Sequence, residues 1–164
     1  WTKLQAMSRE LLTSWSDYQI AIDRLLALAR KQICIYDEDL VQLHFENPAR
    51  IAILKKVLSA ETHAYLRIAL RDSSPLQQKQ ALFLNLLTTF SHNIAVQETP
   101  EQLGHLRDAI ILVDDAHALI RFDREQARCK LLIDEGDEVM PYRRRFEEIW
   151  TEGGNPVGAT ILGL

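Results

Sequence analysis

The sequence predicts an α/β domain built on a mixed, mostly parallel sheet with helices on both faces, and three observations carry that prediction. Short apolar runs of strand length alternate with segments of helical periodicity, the order that builds parallel strands through right-handed crossovers. The runs Gln32-Ile33-Cys34-Ile35-Tyr36 and Ala109-Ile110-Ile111-Leu112-Val113 are continuous, as in strands buried on both sides. With 164 residues, 47% of them hydrophobic, the chain can bury one core without disulfides or a structural metal.

The first element is an amphipathic helix over Asp17–Lys31, where Tyr18, Ile22, Leu25, Leu26 and Ala29 recur at three- and four-residue spacing behind Ser14 or Ser16 as N-cap. A buried strand over Gln32–Tyr36 stops at Asp37-Glu38-Asp39. Pro48, suited to a first helical turn, opens a helix through Ile51, Leu54 and Leu58 to Ala60, and Tyr65–Leu70 returns to strand. Pro75 starts one long helix whose apolar face runs from Leu76 to Phe90, with Ser73 or Ser74 as its cap. Ile94-Ala95-Val96 is a short strand, and Ala109–Val113 and Ala118–Ile120 form a pair joined by a tight turn at Asp114-Asp115. Arg124–Gly136 reads equally as helix or strand. The last helix starts at Pro141 and sets Phe146 and Trp150 four residues apart on one face.

These elements make one domain over 1–164: an N-terminal tail 1–13, a leading helix 17–31, a core 32–150 and a C-terminal tail 151–164. That last tail holds four of the six glycines and an apolar patch at Ile161-Leu162. The N-terminus lacks both an initiating Met and a signal-peptide pattern, so the chain is expected to be part of a longer protein. Its longest apolar runs fall far short of the roughly 20 residues that cross a bilayer. Cys34 and Cys129 stand apart from any C-x-x-C or Cys/His cluster, which fits reduced thiols and a cytoplasmic location. A net charge of −4 gives no strong nucleic-acid signal.

The segment Asp108-Ala109-Ile110-Ile111-Leu112-Val113-Asp114, its turn into Ala118-Leu119-Ile120-Arg121-Phe122, and the later Arg145-Phe146-Glu147-Glu148-Ile149-Trp150 resemble one half of the phospholipase D superfamily over about 32–150. The chain is similar in particular to a proteobacterial domain family sometimes joined to acetyltransferase domains. Active members carry H-x-K-x-x-x-x-D followed by Gly-Ser, where the His attacks phosphorus and the Lys neutralises phosphate oxygens. Anchored on Asp114, this sequence puts Arg107 at the His position, Ala109 at the Lys position, and Arg121 and Phe122 where Gly-Ser would fall. An arginine is always protonated and cannot attack phosphorus. A frame through His105 fails too, since it puts Leu112 at the Asp position.

The resemblance therefore implies a catalytically inactive phospholipase D-like binding or regulatory module. Its candidate anion site, for a phosphate-containing ligand, comprises Arg71, Asp72, Arg107, Asp114, His117 and Arg121. A homodimer and a fused acetyltransferase-type partner are further implications; no cofactor or metal is expected. Against the anion site stands the plainer reading that Arg107 and Arg121 pair with nearby aspartates. Two other classes remain open: a phosphodiesterase using His105, His117, Asp72 and Asp114, and a purely structural interaction domain.

Other residues have weaker alternatives. Asp37-Glu38-Asp39 follows a strand where α/β sheets bind ligands and could hold Mg²⁺, but turn and cap duty explains it. None of His44, His63, His92, His105 and His117 has zinc-site spacing. Ser91-His92 lacks a nucleophile elbow. Arg143-Arg144-Arg145, read as a first helical turn, opposes the helix dipole and calls for neutralisation by nearby carboxylates or for an acidic partner.

Overall fold

A computed structural model describes residues 7–158. Ser14 accepts a hydrogen bond from the Asp17 amide at 3.1 Å and opens α1 (Trp15–Leu28). Asn47 does the same for the Ala49 amide at 2.8 Å, with Pro48 in the first turn of α2 (Pro48–Ala60). Between them runs β2 (Gln32–Asp37), and after α2 comes β3 (Tyr65–Leu70). The single helix expected from Pro75 is two, α3 (Ser74–Lys79) and α4 (Ala81–Thr89), because Gln80 leaves helical geometry at ψ 61°. Ser73 caps neither. Its hydroxyl and amide both donate to Glu98, while Asp72 accepts the Ser74 amide at 3.0 Å.

Two strands lie outside the sequence expectation, and a third settles the segment that read equally as helix or strand. The N-terminal tail contains β1 (Ser8–Leu12), Arg124–Gly136 contains β7 (Cys129–Ile133), and the C-terminal tail contains β8 (Asn155–Val157). With β4 (Ile94–Glu98), β5 (Ala109–Val113) and β6 (His117–Arg121) they form one sheet in the order β1-β7-β6-β5-β2-β3-β4-β8. The sheet is mixed. Parallel pairing is confined to β2–β3 and β3–β4, where helices make the crossovers, so the sheet is mostly antiparallel rather than mostly parallel: hairpins join β5–β6–β7, β1 and β8 add at the edges, and β5 pairs antiparallel with the central β2. The expected Ile161-Leu162 patch lies outside the described residues.

Period-two alternation explains the continuous apolar strands. Ile33, Ile35, Ile111 and Val113 face a core shared with α1 to α4, while Cys34, Tyr36, Ile110 and Leu112 face a second core under α5 (Gly136–Thr151). Phe146 is fully buried there and stacks on Trp150 at 5.8 Å. Its burial contributes about 1.5–3 kcal/mol.

α5 begins five residues before Pro141, so its first turn carries Asp137 and Glu138, which suit the dipole. The expected conflict at Arg143–Arg145 disappears because these residues lie in mid-helix. Arg143 donates to the Asp114 carbonyl and pairs with Asp115, and Arg145 forms a two-pronged pair with Asp108 at 2.8 and 2.9 Å.

Candidate functional site

The register sets Asp37 beside Leu70, Leu70 beside Glu98, and Ala109 beside Arg121. One end of the sheet therefore gathers the C-terminal ends of the three parallel strands, the start of β5 and the end of β6, which is where open α/β sheets bind ligands. Arg71, Asp72, Arg107 and Arg121 all reach this end.

Arg121 closes the apolar run of β6 and is 1% exposed. Its Nη2 donates to Asp37 Oδ1 at 3.1 Å, and its Nη1 donates to the carbonyls of Arg124 at 2.6 Å and Asp123 at 3.3 Å. The guanidinium also lies 5.3 and 5.1 Å from the ring centres of Trp15 and Tyr18. Asp37 spends its other oxygen on the amides of Leu40 and Asp39, at 2.8 and 3.2 Å, and so holds the left-handed turn at Leu40, φ 67°. Burial pushes the Asp37 carboxyl above its usual range against the pull of Arg121, and burial also raises the Tyr18 phenol. This pair occupies the floor of the site.

Arg107 is exposed and ion-paired with Asp123 at 2.7 Å and with Glu125 at 3.3 Å. These hydrogen-bonded carboxylates raise the Arg107 pKa, and Arg107 lowers that of Asp123. Ala109 is buried, and Arg124 holds Glu38 at 2.7 Å. Arg107 and Arg121 thus converge on the same short loop, one through its carboxylate and the other through its backbone; Arg107 pairs with a nearby aspartate as the plainer reading had it, whereas the carboxylate of Arg121 is the distant Asp37. Asp37-Glu38-Asp39 serves the turn and these pairs.

Arg71 differs from its neighbours. It forms no ion pair among the described residues, and its Nε, like that of Arg121, is buried without a hydrogen-bond partner. A cleft of about 450 Å³ opens beside it, with Thr99, Glu98, Glu101 and Asn155 on its walls. Thr99 was not among the sequence candidates; its place one residue past β4, at the sheet end, was the one signal for it.

Asp114 and His117 lie at the opposite end, because Val113 pairs with His117 and Ile33. They do not join the other four candidates. Asp114, at φ 53°, accepts the backbone amides of Arg30, Lys31 and Gln32 at 3.1, 2.9 and 3.1 Å, tying the α1–β2 connection to the β5 turn. His117 Nδ1 accepts the Asp134 amide at 3.0 Å. The set His105, His117, Asp72 and Asp114 is accordingly split across the sheet and forms no single constellation.

The eight-stranded mixed sheet with helices on both faces is a fold shared with solved phospholipase D family structures. A phospholipase D family member, Nuc from Salmonella typhimurium, superposes over 93% of this chain and 99% of its own with a TM-score of 0.64 at 11% identity. NucT from Helicobacter pylori gives 92%, 99%, 0.61 and 12% for the same quantities. The archaeal chromatin protein TrmBL2, described as showing a novel mode of DNA binding, gives a TM-score of 0.67 at 12% identity; 94% of this chain is covered but only 56% of that one. The chain thus spans little more than half of TrmBL2. No curated protein sequence matches. By its sequence the chain belongs to the family described as "Domain of unknown function (DUF7931)", which matches residues 15–156.

Proposed function

We propose that this domain is a non-catalytic phospholipase D-like module that binds a ligand at the C-terminal end of its parallel strands. The supporting observation is the chemistry at the superfamily's reaction positions. Arg107, where the nucleophilic His would stand, is a guanidinium held by two carboxylates, and the Lys position is the buried Ala109. Neither side chain offers a lone pair to phosphorus. Arg121, aligned with Gly-Ser, is committed to Asp37 and to backbone carbonyls, so it contributes to the fold more than to a phosphate site.

The superfamily likeness also supports a homodimer and a tethered partner domain such as an acetyltransferase as the setting in which the module works. Both would let ligand binding be read out elsewhere. The test is hydrolysis of bis(p-nitrophenyl) phosphate by the purified domain between about pH 5 and 8, the range where a catalytic His would titrate. No release of p-nitrophenol above the buffer rate is expected. Turnover that co-purifies with the domain and is lost in His105→Ala would overturn the proposal.

A further inference from the structure

Arg71 and Thr99 point to what the ligand is, on the reading that this end of the sheet binds without catalysing. Four other arginines at this end have a carboxylate, Arg107 with Asp123, Arg121 with Asp37, Arg124 with Glu38 and Arg145 with Asp108, while the exposed Arg128 lies over the Phe122 ring. Arg71 has none among the described residues, and its buried Nε has no partner. A methyl group built onto Gly104 would sit 3.1 Å from Arg71 Nη2 and 3.2 Å from Nε, so the guanidinium lies against the Gly104 backbone at the cleft wall. Thr99, only 6% exposed, lines the same cleft, and its buried Oγ1 also lacks a partner.

Buried polar groups are nearly always hydrogen-bonded, and leaving one unpaired is destabilising. Two such groups in one open cleft, at the strand ends where α/β sheets take ligands, mark donors waiting for an acceptor. A guanidinium with a hydroxyl beside it suits a carboxylate. The rest of the cleft carries the opposite charge. Glu98 spends one oxygen on Ser73, and Asp72 spends one on Ser74, leaving the second oxygen of each; Glu101 is exposed and its carboxylate has no hydrogen bond among the described residues. A phosphate or nucleic-acid backbone would meet more carboxylates here than arginines, and a simple cation would meet Arg71. A molecule with one charge of each sign satisfies both halves.

We propose that the cleft binds a small zwitterion of the α-amino-acid class, its carboxylate on Arg71 and Thr99 and its ammonium on Glu101, Glu98 and Asp72. A volume of about 450 Å³ admits one such molecule.

The experiment is a thermal-shift series on the domain with each of the twenty L-amino acids, inorganic phosphate, and the amide and N-acetyl derivatives of any amino acid that binds. At about 10 mM, a ligand of millimolar affinity raises the melting temperature by roughly 3–6 °C. The proposal expects a shift with at least one amino acid, lost on capping either its carboxylate or its amine, and lost in Arg71→Met and in Thr99→Val. The valine variant keeps the buried volume and removes a hydroxyl that had no partner, so its ligand-free melting stays at or above wild type. Three results would overturn the proposal: no shift with any amino acid, a shift with phosphate alone, or an amino-acid shift that survives in both variants. None of them bears on phosphodiester turnover, so the two readings fail separately.

Discussion

Replacing Arg121 with Met leaves the Asp37 carboxyl buried and without its counter-charge. The two side chains are 1% and 2% exposed and 3.1 Å apart, so solvent does not screen the loss. Breaking such a pair by removing one partner costs about 3–5 kcal/mol. Met keeps the aliphatic stem against Trp15 and Tyr18, which limits the packing loss. For a domain of this size the change lowers the melting temperature by roughly 6–20 °C.

The pH dependence separates this cause from a packing defect. Burial already holds the Asp37 carboxyl above its ordinary range, and Arg121 opposes that rise; without Arg121 it rises further. A carboxyl whose folded pKa exceeds its unfolded pKa stabilises the fold fully at low pH and loses that contribution as pH rises through the folded value. Urea melts of Arg121→Met should therefore show the largest deficit near pH 8, shrinking as pH is lowered toward about 5. The double variant Asp37→Asn, Arg121→Met, which buries no charge and keeps an acceptor for the Leu40 amide, should return to within about 1 kcal/mol of wild type. A deficit below about 1 kcal/mol at pH 8, or one that does not change with pH, would refute the reasoning.

Other expected outcomes follow from single contacts. Asp114→Ala removes the acceptor of three backbone amides and strains a left-handed position, lowering stability by about 2–3 kcal/mol in urea melts, whereas Asp114→Asn recovers about half. Cys34 and Cys129 are both fully buried, and burial pushes the Cys129 thiol up to about 11 and raises that of Cys34. Neither should react with Ellman's reagent near pH 8 in the native domain, and both should react on unfolding. Phe146→Ala should cost about 3–5 kcal/mol by opening a cavity under α5, measured as a fall in the urea midpoint at unchanged slope.

The central strands and most helices were legible because their residues are buried on both faces or repeat at helical spacing. The edges were not. β1 exposes Arg9 and Leu11, and β8 buries only Val157 and carries Pro156, which an edge strand tolerates, so neither shows an apolar pattern. β7 was ambiguous because Lys130 interrupts its apolar run and only pairing with β1 and β6 decides its state. The start of α5 was missed because Pro141 looked like a first-turn proline, although the turn before it supplies the acidic residues.

At the site, Arg71 and Asp72 were placed by following a strand, whereas Arg107 and Arg121 came only through the superfamily alignment, which also brought in Asp114 and His117 from the opposite end of the sheet. The partners of these residues were not legible. Asp37 and Arg121 are 84 residues apart, and only tertiary pairing joins them. One clue was present: an arginine continuing an apolar strand must find a buried counter-charge. Asp114 occupies the place of a superfamily motif residue while serving a turn, a role that residue spacing alone does not reveal.

The most direct measurement is a search for a covalent intermediate: the domain is mixed with a phosphodiester substrate, quenched in acid or base at short times, and its intact mass is read. With Arg107 aligned to the nucleophilic His position, the unmodified mass is expected at every time point. A substrate-derived phosphoryl adduct mapping to His105 or any other histidine would contradict it.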